Sequence, residues 1–314
     1  MAAALSLAER GVGRTGNNPS VGCVIVKNGI VIGRGWTQSG GRPHAEAMAL
    51  AQAGAEARGS TVYVTLEPCA HVSQRGPACA QLLKEAAPAR VIVALQDPDA
   101  RTAGQGMAAL KAAGIEVMAG VMASEARQNL AGFLSRMSRG RPFVTLKIAS
   151  TLDGQIAMAD GSSRWITGEI ARAHSHVERA RSDAILVGAG TVRTDTPQLT
   201  VRLAGLEMAQ PRKVMLGSGE APEGWEVIRT PREIAHLDCN TLLVEGGAAT
   251  ATAFLREGLV DRLMLYRAPI LIGAGKGCLS DIGLTQLGDA HGRWQISDSR
   301  SLGKDRLEVY ESAQ

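Results

Sequence analysis

Val21-Gly22-Cys23-Val24-Ile25-Val26-Lys27 and Val31-Ile32-Gly33-Arg34-Gly35-Trp36 are two apolar runs set either side of Asn28-Gly29-Ile30. Asn-Gly tolerates the positive φ angles that a tight hairpin turn needs, so the stretch predicts two antiparallel strands. Working outward, Leu5–Gly13 reads as a short helix closed by glycine. His44–Gln52 has the Ala, Glu, Met and Leu content of a helix, and Thr61–Leu66 (TVYVTL) is a β-branched strand. Cys79–Ala86 reads as a helix, Arg90–Leu95 as a strand, Gln105–Ala113 as a helix and Ile115–Met118 as a strand. The order ββαβαβαβ is that of one sheet with helices on both faces.

Residues 124–142 are more charged and end in Arg139-Gly140-Arg141-Pro142, after which a fresh strand opens at Phe143. We therefore expect two domains, 1–142 and 143–314. The second alternates again: strands at 143–149, 184–188, 213–217, 241–244 and 261–268, with helices from about 169 and over 248–257. Each half is long enough to bury a core.

Of the 314 residues 45% are hydrophobic and only 3% aromatic, so both cores must be aliphatic. A formal charge of +4, with Lys and Arg scattered singly, does not make the basic, aromatic-interleaved stripe of a nucleic-acid binder. No run of about 20 apolar residues suggests a membrane span. Met1–Arg14 lacks a basic start and carries Glu9, unlike a secretory leader, so a cytoplasmic location is expected. Five cysteines, an odd number, then read as thiols or metal ligands and not as a disulfide framework.

The chemistry concentrates in Pro43-His44-Ala45-Glu46 and Glu67-Pro68-Cys69, with Cys79 opening the next helix. A catalytic zinc takes three protein ligands and leaves a fourth position for water. His44, Cys69 and Cys79 supply that set, for one Zn²⁺ per chain. Glu46, on the first turn of a helix, suits the proton transfer that a departing amine needs. His-x-Glu with a later Pro-Cys and a second Cys is the signature of zinc nucleobase deaminases, although Cys69 and Cys79 stand further apart than its usual Cys-x-x-Cys. His71 is a rival third ligand; Cys79 is preferred because helix N-termini favour thiolates. Cys23 reads as core, and nothing marks Cys239 or Cys278 as reactive. Neither Glu46 nor Asp195 is expected to lie in a packed core.

At this point the chain resembles the bifunctional deaminase–reductase family of riboflavin biosynthesis. Asn18-Pro19-Ser20-Val21-Gly22-Cys23-Val24-Ile25-Val26, Pro43–Glu46, Tyr63-Val64-Thr65-Leu66-Glu67-Pro68-Cys69 and Gln96-Asp97-Pro98 carry the likeness in the first half. Lys147…Thr151-Leu152-Asp153-Gly154, Ser163-Arg164-Trp165-Ile166-Thr167, Thr191…Asp195-Thr196-Pro197-Gln198-Leu199-Thr200-Val201-Arg202 and Glu245-Gly246-Gly247 carry it in the second. Departures are Thr151 for a usual Ser, Thr196 for a usual Asp, a Cys69–Cys79 loop one residue longer, and a shorter 203–240 stretch.

Read alone, the second half offers only a strand, Glu245-Gly246-Gly247 and a helix, a unit able to approach a phosphate. The resemblance implies the rest: an α/β chain with an N-terminal cytidine-deaminase-like three-layer domain and a C-terminal dihydrofolate-reductase-like domain using NADPH. It implies cofactor contacts at Ala149, Trp165, Thr191, Asp195, Ser218 and Gly247, and substrate contacts at Ser163, Arg179, Leu199, Arg202 and Glu245. Arg179 and Arg202 suit a substrate phosphate, and Lys147 and Asp195 are the polar groups expected near the reacting carbon. The expected reactions are deamination of a phosphoribosylated diaminopyrimidine, then reduction of its ribosyl group to ribityl. The expected partner is that small phosphorylated pyrimidine, with no nucleic acid and no membrane; a homo-oligomer is left open. Two rivals stand beside this reading: a nucleobase or nucleic-acid deaminase with a non-catalytic nucleotide-binding second half, and a regulatory protein whose sites are relics.

Overall fold

The computed structural model describes residues 1–71 and 74–313, which form two compact units, Met1–Gly140 and Arg141–Gln314. In the first, β1 (Gly22–Lys27) and β2 (Ile30–Trp36) pair antiparallel through a turn with Asn28 at φ 51° and Gly29 at φ 77°. Then follow β3 (Thr61–Val64), β4 (Arg90–Val93) and β5 (Glu116–Ala119), in the sheet order β2-β1-β3-β4-β5, with β3, β4 and β5 parallel.

The helices are α1 (Ala2–Ala8), α2 (Ala45–Ala53), α3 (Cys79–Ala86), α4 (Gln105–Ala112), α5 (Ala123–Asn129) and α6 (Ala131–Arg139). The sequence places glycine where helices press on the sheet. A Cβ at Gly22 would run into the carbonyl of Ala4 in α1, and Cβ atoms at Gly33 and Gly35 would run into those of Ala49 and Ala45 in α2. Gly35 pairs with Cys23 and Gly22 with Trp36, so strand alternation puts α1 and α2 on opposite faces. The layers are helix, sheet, helix. The core is aliphatic, with Cys23, Ile25, Val62, Val64, Leu83, Val91 and Leu110 all buried. The first helix starts earlier than expected, at Ala2, and the charged stretch 124–142 holds α5 and α6. Its buried Ala126, Leu130 and Phe133 join the core.

The second unit is built on an eight-stranded sheet. Its strands are β6 (Phe143–Thr151), β8 (Ala184–Gly188), β9 (Arg212–Leu216), β10 (Glu226–Ile228), β11 (Thr241–Val244), β12 (Arg262–Ala268), β14 (Trp294–Leu302) and β15 (Asp305–Ser312), in the order β10-β9-β8-β11-β6-β12-β15-β14. Strands β7 (Gln155–Ala157) and β13 (Lys276–Gly277) form a separate small ribbon. The first six of the ordered strands run parallel; β15 and β14 are antiparallel additions that the sequence reading did not include. Helices α7 (Glu169–Ala180), α8 (Ala189–Asp195) and α9 (Ala248–Arg256) complete it. Val144, Leu146 and Ile148 of β6 pack with Phe254 and Leu255 of α9. Lys147 and Ala149 project to the other face, where Met264, Tyr266 and Leu307 pack with Ala171 of α7.

Candidate active sites

Each unit gathers one site. In the first, His44 is the residue immediately before α2, Cys69 follows β3, and Cys79 is the first residue of α3. Their ligand atoms lie within 4.8 Å of one another. His44 Nδ1 stands 3.3 Å from Cys79 Sγ and 3.6 Å from Cys69 Sγ, and the Cys79 backbone N–H donates to Cys69 Sγ at 3.3 Å. Hydrogen bonds from Cys79, together with His44, drive the Cys69 thiol down to about 4, while the same pairing and burial push Cys79 up. A metal ion taking both sulfurs as thiolates would displace the protons they carry. His71 turns away, its Nδ1 3.3 Å from Thr102 Oγ1.

One imidazole and two thiols converging within bonding reach of a single centre fit zinc, with a position to spare. His44 and Cys69 line a cavity of about 230 Å³ together with Asn17, Arg42, Glu46, His71, Arg75, Asp97 and Arg101. Glu46 is 3% exposed, which overturns the expectation that it lies outside the packed interior: α2 presses its first turn onto the sheet. Burial raises its carboxyl to about 7, with His44 the largest opposing influence. A carboxyl balanced near neutrality can both take and give a proton. Glu67, to which the sequence reading gave no role, is equally buried beside the same cavity.

In the second unit, Lys147, Arg179 and Glu245 come together from β6, α7 and the end of β11. Arg179 holds Glu245 through two bonds, Nε to Oε1 at 2.7 Å and Nη2 to Oε2 at 2.8 Å, and its Nη1 donates to the Thr200 carbonyl at 3.1 Å. Lys147 Nζ stands 3.9 Å from Glu245 Oε2 and 5.7 Å from the Tyr266 ring centre. Burial works to raise the Glu245 carboxyl, but Arg179 and Lys147 carry it below its ordinary range. The guanidinium expected to meet a phosphate is thus largely engaged within the protein. Arg202 is exposed, bonded through Nη1 to Gln198 Oε1 at 3.0 Å and Thr200 Oγ1 at 3.3 Å, and its backbone N–H meets His176 Nδ1 at 3.2 Å.

Thr191, Ser218 and Gly247 follow the C-terminal ends of β8, β9 and β11, the side of a parallel sheet where nucleotides bind. Thr191 Oγ1 lies 4.0 Å from where a Cβ on Gly247 would stand, and a Cβ on Gly190 would meet nothing within 4 Å. The backbone there is open to a phosphate, and Gly247 immediately precedes α9. These features fit a dinucleotide. Asp195 ends α8 and is exposed; Ala149 lies on β6 beside Lys147's face; Leu199 is buried with φ 52°. Ser163 and Trp165 lie on the exposed loop before α7, where Arg172 stacks 4.8 Å over the Trp165 ring.

A zinc-type deaminase unit followed by an α/β reductase-type unit defines a two-site enzyme class. Residues 1–95 match the cytidine and deoxycytidylate deaminase zinc-binding region, and residues 142–307 match the RibD C-terminal domain. The chain is 40% identical to the riboflavin biosynthesis protein RibD of Escherichia coli, covering 97% of this chain and 96% of that one. It is 42% identical to its Mycobacterium tuberculosis counterpart, covering 94% and 91%. Among solved structures, Acinetobacter baumannii RibD is 38% identical with a TM-score of 0.90 over 99% of this chain and 97% of that one. A Thermotoga maritima diaminohydroxyphosphoribosylaminopyrimidine deaminase/5-amino-6-(5-phosphoribosylamino)uracil reductase is 32% identical, TM-score 0.87, over 98% and 96%. The chain belongs to the RibD family: it is a bifunctional deaminase and reductase of riboflavin biosynthesis, a family that uses zinc and NADPH.

Proposed function

We propose that residues 1–142 hydrolyse the exocyclic amine of a phosphoribosylated diaminopyrimidine and that residues 143–314 then reduce its ribosyl group to ribityl. The observation that carries the reading is the convergence of His44, Cys69 and Cys79, the first two of which line the same cavity as Glu46. Bound there, zinc would lower the pKa of a water molecule towards neutrality. Glu46 takes a proton from the water and delivers one to the departing amine, so that water adds at the ring carbon and ammonia leaves. Arg42, Arg75 and Arg101, all lining the same cavity, suit the substrate's phosphate.

In the second unit Thr191, Ser218, Gly247, Ala149, Trp165 and Asp195 would hold NADPH, which supplies hydride. Lys147 and Asp195 are assigned the proton traffic of the ring-opened sugar. Glu245 acts with them by fixing Lys147 and Arg179, and Arg202, Leu199 and Ser163 bound the substrate. The partner is a small molecule. No helix among the described residues is long and apolar enough to cross a membrane, and we place the enzyme in the cytoplasm, acting without nucleic acid.

The test is product mass over time with the phosphoribosyl diaminopyrimidine, with and without NADPH. Without NADPH the product should differ only by replacement of the amine by oxygen; with it, two further hydrogens should appear. Reduction without prior deamination would overturn the proposed order.

A further inference from the structure

We propose that Glu67 is the positioning residue of the deaminase site: by holding three backbone amides at once, its carboxylate fixes Cys69 relative to His44 and Cys79. This inference rests on the reading of those three residues as the metal ligands. Glu67 stands two residues before Cys69 and is 3% exposed. Its Oε1 accepts from the Met107 N–H at 3.0 Å, and its Oε2 accepts from Gly104 at 2.9 Å and Asp97 at 3.2 Å. Its own N–H donates to the Leu95 carbonyl at 2.8 Å.

Gly104 is the N-cap of α4 and has no side chain with which to cap it. The carboxylate takes that place, where negative charge is favoured by the unpaired amides of a first turn. Gly104 lies at φ 78°, a conformation that strains residues bearing a side chain, so the cap has to come from elsewhere. Taking it from 37 residues away in sequence also seats the segment leading into Cys69 on α4. The backbone repeats the arrangement: a Cβ on Gly106 would run into the Pro68 carbonyl, so the first turn of α4 lies directly against the residue before Cys69. Asp97 completes the set. Its N–H is held by Glu67 and its carboxylate accepts from the Asp99 N–H at 2.9 Å, so the cavity wall and the ligand loop share one anchor. Groups that orient metal ligands from behind typically change affinity or activity by about 10–100-fold when altered.

Glu67→Gln keeps the shape but sets an amide NH₂ against one of the three N–H donors. Gly106→Ala, a change that favours an isolated helix, pushes α4 off Pro68. Both are made in the full chain. Zinc affinity is measured by competition with a chelating dye, and the cobalt-substituted protein is examined for its thiolate charge-transfer band. We expect about 10–100-fold weaker zinc binding and a shifted cobalt band in both variants, with NADPH binding in the second unit unchanged. A lowered melting temperature with wild-type zinc affinity and an unaltered cobalt band would show a merely structural cap and overturn the proposal. If Glu67→Gln does not fold, Gly106→Ala decides between these outcomes. A wild-type protein that binds no zinc would instead sink the metal reading beneath it.

Discussion

The two sites are assembled by opposite means. The first draws its candidate metal ligands from soft, weakly charged groups, His44, Cys69 and Cys79, delivered by a helix start, the segment after a strand and a second helix start. The second draws on full charges, Lys147, Arg179 and Glu245, brought together from a strand, a helix and a strand end across nearly a hundred residues of chain. In the first, His44, Cys69 and Cys79 meet chiefly one another, and a metal ion would complete them. In the second the protein neutralises its own groups, and a ligand must fit around a network already paired. A site awaiting a metal should therefore lose function through chemistry, and a self-paired site should lose stability as well.

A crossed pair of variants should separate the two sites most sharply. Glu46→Gln should lower ammonia release by about 10²–10⁴-fold, the usual share of general acid–base help, while leaving zinc bound and reduction of the deaminated substrate intact. Asp195→Ala should abolish NADPH-dependent reduction and leave ammonia release near wild type. Mixing the two proteins should restore the two-step product by mass. If Asp195→Ala also stops deamination in a folded, zinc-loaded protein, the two sites are not separable.

Metal content gives the next contrast. Cys79→Ser should strip zinc, because a hydroxyl is a far poorer ligand than a thiolate, whereas His71→Ala should keep about one zinc per chain by elemental analysis. The reverse result would exchange the third ligand.

Stability separates the sites further. Glu245→Gln leaves the part-buried Arg179 without its carboxylate and should cost up to about 3 kcal/mol at neutral pH, the lower end for broken buried pairs, read from denaturant midpoints. The sign with pH follows from Glu245's lowered range. Its contribution is present above the unfolded carboxylate value and disappears as pH falls through the lower folded value. The gap between wild type and variant should therefore close in acid; a gap that widens there would refute the pairing account. The smallest effect should come from Glu116→Ala, whose partner Arg90 at 2.9 Å is half exposed like itself. Solvent screens such pairs, and the loss should stay below about 1 kcal/mol.

Legibility in the sequence followed the same divide. The hairpin at Asn28-Gly29 and the alternating strands could be read locally, because turn chemistry and strand pattern depend on residue type at short range, and the structure brings His44, Cys69 and Cys79 together as the local motif led one to expect. The Arg179–Glu245 pair could not, since nothing local in either residue names the other. Nor was Glu67 legible, because its partners are backbone amides, which every residue has. Strands β14 and β15 were passed over because Trp294–Ser312 is rich in Ser, Asp, Arg and Glu. Yet β15 buries Asp305, Leu307 and Val309 in strict alternation, a signal that was there to be used. Helices α5 and α6 were hidden by charge in the same way.

The position of β15 also bears on how the chain is made. It is inserted between β12 and β14, so the sheet that carries Lys147 is complete only after residues 305–312 have been synthesised. The first unit has all five of its strands once residue 119 is out of the ribosome. Vectorial synthesis thus gives the amino-terminal sheet a head start of nearly two hundred residues, and domains commonly fold in that order as they emerge. Ribosome-stalled chains ending near residue 200 should already resist protease over 1–140, while the nascent reductase half is still cut.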